Sequence, residues 1–279
     1  MSLVAIIGGS GLYNLEKVKL LEKIAIDTPF GMPSSEVLRL EVDGCEFLFL
    51  PRHGEGHSIS PSEVNYRANI YALKVLGARV VLSISAVGSL KDEHEPTKFV
   101  LPSQFIDWTK GLRKRTFFES GVVGHVSTAY PVNFDLQKRI ADSLEEIDAN
   151  HSVGGSYLCI EGPQFSSRAE SELYRSFGAD VIGMTNVPES YLAKEAGMAY
   201  ATVAMITDYD CWKEKHCTVE EIMKVMGGNV LTAQKLIEKV IPSLVKNPIE
   251  FESENKYAIV TRDDLISAEQ KTINEKLLG

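Results

Sequence analysis

No apolar run in the chain approaches the roughly 20 residues of a membrane-spanning helix, so an integral membrane protein is not expected. A secretory pattern is missing too, because Ser2 to Ile7 is too short for an apolar h-region before Gly8-Gly9. Cysteine is scarce. Cys45, Cys159, Cys211 and Cys217 form no C-x-x-C pair, which argues against a disulfide framework and leaves reduced thiols, as expected of a cytoplasmic protein. Positive charge is in deficit, with 29 Lys and Arg against 38 Asp and Glu. With no basic stripe to offset a net charge of −9, general binding to nucleic acid or to anionic membranes is not expected. No metal-ligand pattern stands out. Cys211, His216 and Cys217 fit no recognised spacing, and the i, i+4 pair His53 and His57 encloses two glycines, which disfavour the helix such a pair needs. Internal repeats and low-complexity segments are also absent.

What is present is a compact alternating pattern. A chain of 279 residues, 44% of them hydrophobic, can bury a full core as one domain. Apolar runs predict strands over 3–8, 36–42, 45–50, 79–85, 98–101, 153–160, 179–183 and 199–208. Between them, helices are expected over 60–76, 133–148, 166–177, 188–196, 219–245 and 263–277, the first opened by the capping box Ser60-Pro61-Ser62-Glu63. Such alternation indicates an α/β protein, a single domain with a mixed central β-sheet flanked by helices. Asn247-Pro248 should end the long helix, and the charged stretch from Glu250 to Lys256 reads as a short linker. The expected division is therefore a main domain over 1–246 and a C-terminal tail over 247–279, packed on the same domain or on a neighbouring subunit.

Candidate chemistry gathers where apolar runs stop, and active sites of open α/β sheets lie at the carboxyl ends of strands. The run from Ala199 to Ile206 ends in Thr207-Asp208-Tyr209-Asp210. If the strand continues through Asp210, both carboxylates face one side and meet one ligand. A structural turn is the competing reading. The first run flows into Gly8-Gly9-Ser10-Gly11-Leu12, where glycines let backbone amides approach an oxyanion. Asn14 replaces the third glycine of a dinucleotide fingerprint, and the Lys-Ser/Thr pair of a nucleoside triphosphate loop is missing. Arg52-His53 follows a second run, offering a planar donor fork beside a histidine that can also donate. A third run ends in Ser85-Ala86-Val87-Gly88-Ser89. Each of these is an ordinary loop if taken alone, but donor chemistry at three strand ends points to an anion site.

In their order along the chain these blocks resemble the trimeric purine nucleoside phosphorylases and, among them, the 5'-methylthioadenosine phosphorylases. The resemblance runs from Val4 to about Leu244, and further blocks carry it: Asp27-Thr28-Pro29-Phe30-Gly31, Asn65-Tyr66-Arg67-Ala68-Asn69, Glu161-Gly162-Pro163-Gln164-Phe165, Ser166-Ser167-Arg168-Ala169-Glu170 and Cys211-Trp212. It implies a purine nucleoside phosphorylase-like fold, a homotrimer, and phosphorolysis of a purine nucleoside with inorganic phosphate as co-substrate and no other cofactor. Ser10, Arg52, His53, Ser85, Ala86 and Thr185 match the phosphate-binding positions, which on a chain this acidic must form a local positive island.

For the base and ribose the matching positions are Phe165, Ile182, Met184, Thr207, Asp208 and Asp210, with Asp208 in the catalytic place beside the purine N7. A carboxyl buried in an apolar pocket has a raised pKa, the condition for donating a proton near neutral pH. Relatives that prefer 6-oxopurines carry asparagine there, so Asp208 implies adenine and S-methyl-5'-thioadenosine as substrate. For the methylthio group the resemblance offers Val219 and Ile222, after a two-residue shortening behind Trp212, and His125 from across a subunit interface. Val219 and Ile222 also fit a plain core-facing helix, and Ile182 fits ordinary core packing. The alternatives are a broader phosphorylase acting on adenosine or 6-oxopurine nucleosides, a water-using nucleosidase and a non-catalytic nucleoside binder.

Overall fold

A computed structural model describes residues 3–12, 17–213 and 219–278, except the side chains of Ser10 and Val219. Among the described residues, eleven strands join in one mixed sheet. They are β1 (Leu3–Gly8), β2 (Lys19–Ile24), β3 (Val37–Val42), β4 (Cys45–Pro51), β5 (Ala78–Ser89), β6 (Phe99–Leu101), β7 (Gln104–Trp108), β8 (His151–Val153), β9 (Ser156–Ile160), β10 (Val181–Gly183) and β11 (Ala199–Asp208). Six helices flank them: α1 (Tyr66–Val75), α2 (Phe134–Glu146), α3 (Arg168–Ser176), α4 (Asn186–Glu195), α5 (Val219–Lys246) and α6 (Ala268–Leu278). β1, β5 and β11 are apolar almost throughout because they lie inside the sheet with both faces covered, β1 between the parallel strands β4 and β5, and β11 between parallel β5 and antiparallel β6.

The architecture turns on β5. Along one edge it pairs in parallel with β11, from Val80 opposite Ala199 to Gly88 opposite Asp208. Along the other edge β1 accompanies it only as far as Ser83, and β10 joins in the antiparallel sense at Gly88 and Ser89. The sheet therefore forks beside Ile84–Val87, whose backbone has no strand partner on that edge. A polar ligand can enter where a ladder would otherwise close.

Three local expectations are corrected. The capping box does not form: Ser60 N–H and Oγ–H both donate to the Glu63 carboxylate (3.2 and 2.6 Å), and Glu63 N–H donates to Ser60 O (3.0 Å), which closes a turn. The helix begins six residues later, at Tyr66, where Asn65 caps it by accepting from Ala68 N–H (3.2 Å). The strand expected over 153–160 is split by Gly154 and Gly155, whose φ angles of +98° and +84° suit glycine. Between the two halves, a Cβ at Gly155 would strike the Asp180 carboxyl. β2 and β7 went unread because β2 is exposed over most of its length and pairs only with β3, and β7 pairs only with β9. Neither carries a two-sided apolar signature.

Beyond Lys246 the chain returns to the body. Ile273 and Leu277 of α6 lie in the same core cluster as β1 and β5. The segment before α6 pairs with a distant loop: His125 N–H donates to Ala258 O (2.8 Å) and Val260 N–H to Val123 O (2.9 Å).

Candidate active site

The end of β1, the residues after β4 and the start of α4 meet at the fork. Gly8 has no room for a side chain, since a Cβ there would collide with Leu12 folding back from the single-turn helix Ser10–Leu12. Arg52 is anchored by its backbone, donating N–H to Gly8 O (3.0 Å), and its side chain is only 2% exposed. Glu189 of α4 holds that side chain bidentately, with Nε to Oε2 at 2.6 Å and Nη2 to Oε1 at 3.0 Å. Ser83 Oγ (2.7 Å) and Ile7 O (3.2 Å) also accept from Nη2. Nη1 donates to Ile84 O (3.1 Å), and its second N–H has no acceptor among the described residues. The arginine is thus neutralised by its partner. The expected positive island is instead a set of aimed donors around a neutral ion pair, with one guanidinium N–H to spare.

Asn186 continues the network. Its amide donates to Ser83 Oγ (3.1 Å), Tyr200 Oη (2.5 Å) and Thr202 Oγ1 (3.1 Å), while its oxygen accepts from Ser85 Oγ (3.3 Å). Thr185, just before it, is 6% exposed, and its hydroxyl is buried near Tyr157 Oη with no well-aligned partner among the described residues. An unsatisfied buried hydroxyl is costly, so this one invites a ligand. Ala86 lies in the unpaired stretch of β5. Ser10 opens the glycine-rich turn, and its side chain lies outside the described parts.

His53 plays a different part from the one expected. Its ring stacks on His57 at 4.3 Å, and Nδ1 lies 2.9 Å from Ile59 O. A carbonyl can only accept, so Nδ1 carries the proton in the assigned tautomer and Nε2 presents a lone pair. Burial, then the charge of Arg52, lowers the ring's pKa to about 4. At neutral pH His53 is an acceptor, matched to a protonated phosphate oxygen.

The acidic pair lies three residues further along the fork, about 10 Å from Ser85 at 3.3 Å per residue. Asp208 ends β11, but Asp210 does not share its face by strand alternation. The chain turns at Asp210, with φ +49°, and Asp210 N–H donates to Asp208 Oδ2 (2.9 Å). The strand ends at Asp208 as expected, and the competing reading, a side-chain turn, holds beyond it, because aspartate tolerates the left-handed region and caps its own neighbour. Thr207 Oγ1 lies 2.7 Å from Asp208 Oδ1. Burial raises the pKa of Asp208 against those two hydrogen bonds, and the charge of Asp210 adds to the rise. Asp210 is raised by burial as well. Ile182 and Asp210 both close on Gly88, where a Cβ would come within 3.1 and 3.2 Å of them. Met184 stands against Gly162 in the same way.

Several contributors were missed from the sequence. Ser166 and Ser171 place hydroxyls beside the Asp210 carboxyl, where both work against the effect of burial. The motif holding Ser166 was visible, but its chemistry was not. Glu189 and Asn186 left no sequence signal, since polar residues in a helix ordinarily face water. Other expected residues are not drawn in. Phe165 is 62% exposed, and no aromatic partner accompanies it among the described residues. His125 is exposed and its backbone pairs with the tail, away from the acidic pair. Ile222 is half-buried on α5, two turns before Asn229, whose amide caps Ile206 O (2.9 Å). The side chain of Val219 lies outside the described parts.

A donor-lined fork and a buried carboxyl pair of raised pKa, about 10 Å apart along β5, suit the transfer of a glycosyl group to an oxyanion. Comparison with known proteins agrees. The family described as the Phosphorylase superfamily matches residues 3–242. An S-methyl-5'-thioadenosine phosphorylase of Geobacter sulfurreducens is 45% identical over 99% of this chain and 98% of its own. Another, from Hyperthermus butylicus, is 48% identical over 88% of this chain and 89% of its own. A methylthioadenosine phosphorylase from an antarctic soil metagenomic library superposes with a TM-score of 0.93 at 42% identity, covering 100% of this chain and 99% of that one. The methylthioadenosine phosphorylase of Schistosoma mansoni in complex with tubercidin gives 0.82 at 35% identity, over 88% and 92% of the two chains. The sheet's order and the match in sequence together establish that the chain belongs to the phosphorylase superfamily and, within it, to the S-methyl-5'-thioadenosine phosphorylases.

Proposed function

We infer that the protein cleaves S-methyl-5'-thioadenosine with inorganic phosphate, giving adenine and 5-methylthioribose 1-phosphate. One observation carries this reading: a buried acid of raised pKa stands across β5 at Gly88, where the fork ends, while Thr185's buried hydroxyl and Arg52's spare N–H lie at its other end. As the C1'–N9 bond breaks, its electron pair moves onto the purine and C1' becomes oxocarbenium-like. Phosphate at the fork lies below that cation and forms the new C1'–O bond. It needs orientation more than activation, and His53 Nε2 accepts from its hydroxyl. Asp208, whose pKa burial raises, hydrogen-bonds or donates to N7 and relieves the charge gathering on the leaving base. Asp210 and Ser166 read the adenine edge. A site of buried acceptors rejects a 6-oxopurine that would leave them unpaired, by about 10⁴-fold in comparable cases.

The same reading assigns Ile222 and Met184 to the sugar end, Phe165 to the base, and His125 to a methylthio pocket completed across a subunit interface, and it keeps Val219 as a candidate for that pocket. The assembly is then a homotrimer, working in the cytoplasm. Exposed Val123, Tyr257 and Val260 around His125 support an interface there. Chromatography of base and sugar phosphate released from methylthioadenosine, adenosine and inosine, with and without phosphate, tests the reading. Phosphate-dependent release of adenine, fastest from methylthioadenosine, is expected. Hypoxanthine as the main product would overturn the role of the acids, and release without phosphate would overturn the nucleophile.

A further inference from the structure

Arg113 stands outside the group of residues assigned to the ligand, on an irregular segment between β7 and α2, yet it is only 5% exposed. A guanidinium has five N–H groups, and here each has an acceptor. Nε donates to Glu161 Oε1 (2.8 Å), and Nη2 to Glu161 O (2.9 Å) and Ile160 O (3.3 Å). Nη1 donates to Met184 O and Val187 O, both at 2.7 Å. Glu161 is held in turn by Ser62 Oγ (2.6 Å) and Lys110 N–H (2.8 Å).

The four carbonyls belong to the two segments that leave β9 and β10 just past their last parallel pair, Cys159 with Gly183. Ile160 and Glu161 end β9 and lead into Gly162–Phe165, which covers the base side. Met184 and Val187 bracket Thr185 and Asn186, which serve the phosphate side. The two segments touch where Gly162 meets the sulfur of Met184. We propose that Arg113 is a positioning residue, a planar clamp that sets the Thr185 hydroxyl relative to the base-side loop without touching substrate. The proposal rests on the phosphate reading of Thr185. A fork is required, because an ammonium has three donors on one atom and cannot serve four carbonyls and a carboxylate in two directions.

A purely structural arginine would lower stability and leave the kinetic constants of the folded protein unchanged. A clamp moves phosphate recognition. The full-length chain carrying Arg113→Lys should bind inorganic phosphate at least about tenfold more weakly by calorimetry, and its kcat with methylthioadenosine should fall about 10- to 100-fold, as for a small misplacement of a reacting group. Ser62→Ala, which loosens only the anchor of Glu161, should raise the phosphate KM about two- to threefold while the melting temperature falls by no more than a few degrees (~1–4 °C). If Arg113→Lys does not fold, the Ser62→Ala result decides alone. Unchanged phosphate affinity and KM in the folded variants would overturn the clamp. A wild-type chain that binds phosphate but does not cleave the nucleoside would overturn the proposed reaction while the calorimetry still decides the clamp. Failure to bind phosphate at all would overturn both.

Discussion

The two ends of the candidate site are built in opposite ways. At the fork, Arg52, Ser83, Asn186, Glu189 and Tyr200 are all buried and bonded to one another, so the donors are held before any ligand arrives. At the far end, Phe165 is 62% exposed and His125 is exposed on a loop held by the tail. Preorganised donors reduce the cost of binding and of reaching the transition state, which suits a small, invariant anion. An open end suits the part of a substrate that varies. On the proposed function, the contrast separates preorganised phosphate and base recognition in the core from an open rim that meets the 5' substituent.

The largest effect should come from cutting the buried ion pair. Glu189→Ala leaves Arg52 uncompensated in a site with 2% exposure, and loss of about 3–5 kcal/mol of stability is expected by chemical denaturation. A loss under about 1 kcal/mol would mean that the fork is looser than the rim contrast requires. Next, Asp208→Asn keeps the shape and removes the proton donor. Turnover of methylthioadenosine should fall about 10²- to 10⁴-fold while Lys138→Ala, on the exposed face of α2, stays near wild type. Equal rates for the two variants would remove Asp208 from the mechanism.

The pH dependence of folding gives a subtler check on the fork. His53 has a folded pKa lowered from 6.5 to about 4, so the unfolded chain binds the extra proton between those values. Stability should therefore rise with pH across that window, by up to about 1.4 kcal/mol per unit from this group, and His53→Gln should flatten the slope. An unaltered slope would mean that the ring is not held neutral. The smallest effect belongs to the rim. His125→Ala should raise the KM for methylthioadenosine a few-fold and leave the phosphate KM within about twofold, the size expected of one partly exposed contact. A matching rise in both would erase the distinction between the two ends.

Much of this was legible in the chain. β1, β3, β4 and β11 could be placed because apolar runs bounded by turn residues are written locally, and Asn247-Pro248 did mark the end of α5, which stops at Lys246. Arg52, Ser85 and Asp208 stood out because donors and acids at strand ends are unusual enough to notice. Illegible were the edge strand β2, whose pairing with β3 alone makes it a strand, and the start of α1, where Asn65 prevailed over the earlier capping-box motif. Glu189 carries no signal in the sequence, because its partner Arg52 lies 137 residues away and meets it only in the fold.

The sequence by itself determined the fold class, the order of the strands that carry chemistry, and the residue types offered to an anion and a base. Local propensity and hydrophobic period depend on neighbours in the chain, and those are always visible. Only the tertiary structure decided that Arg52 is neutralised by Glu189, that His53 accepts rather than donates, and that Asp210 meets Asp208 through a turn. Charge state, tautomer and hydrogen-bond direction depend on burial and on partners distant in sequence, and these exist only once the chain has folded.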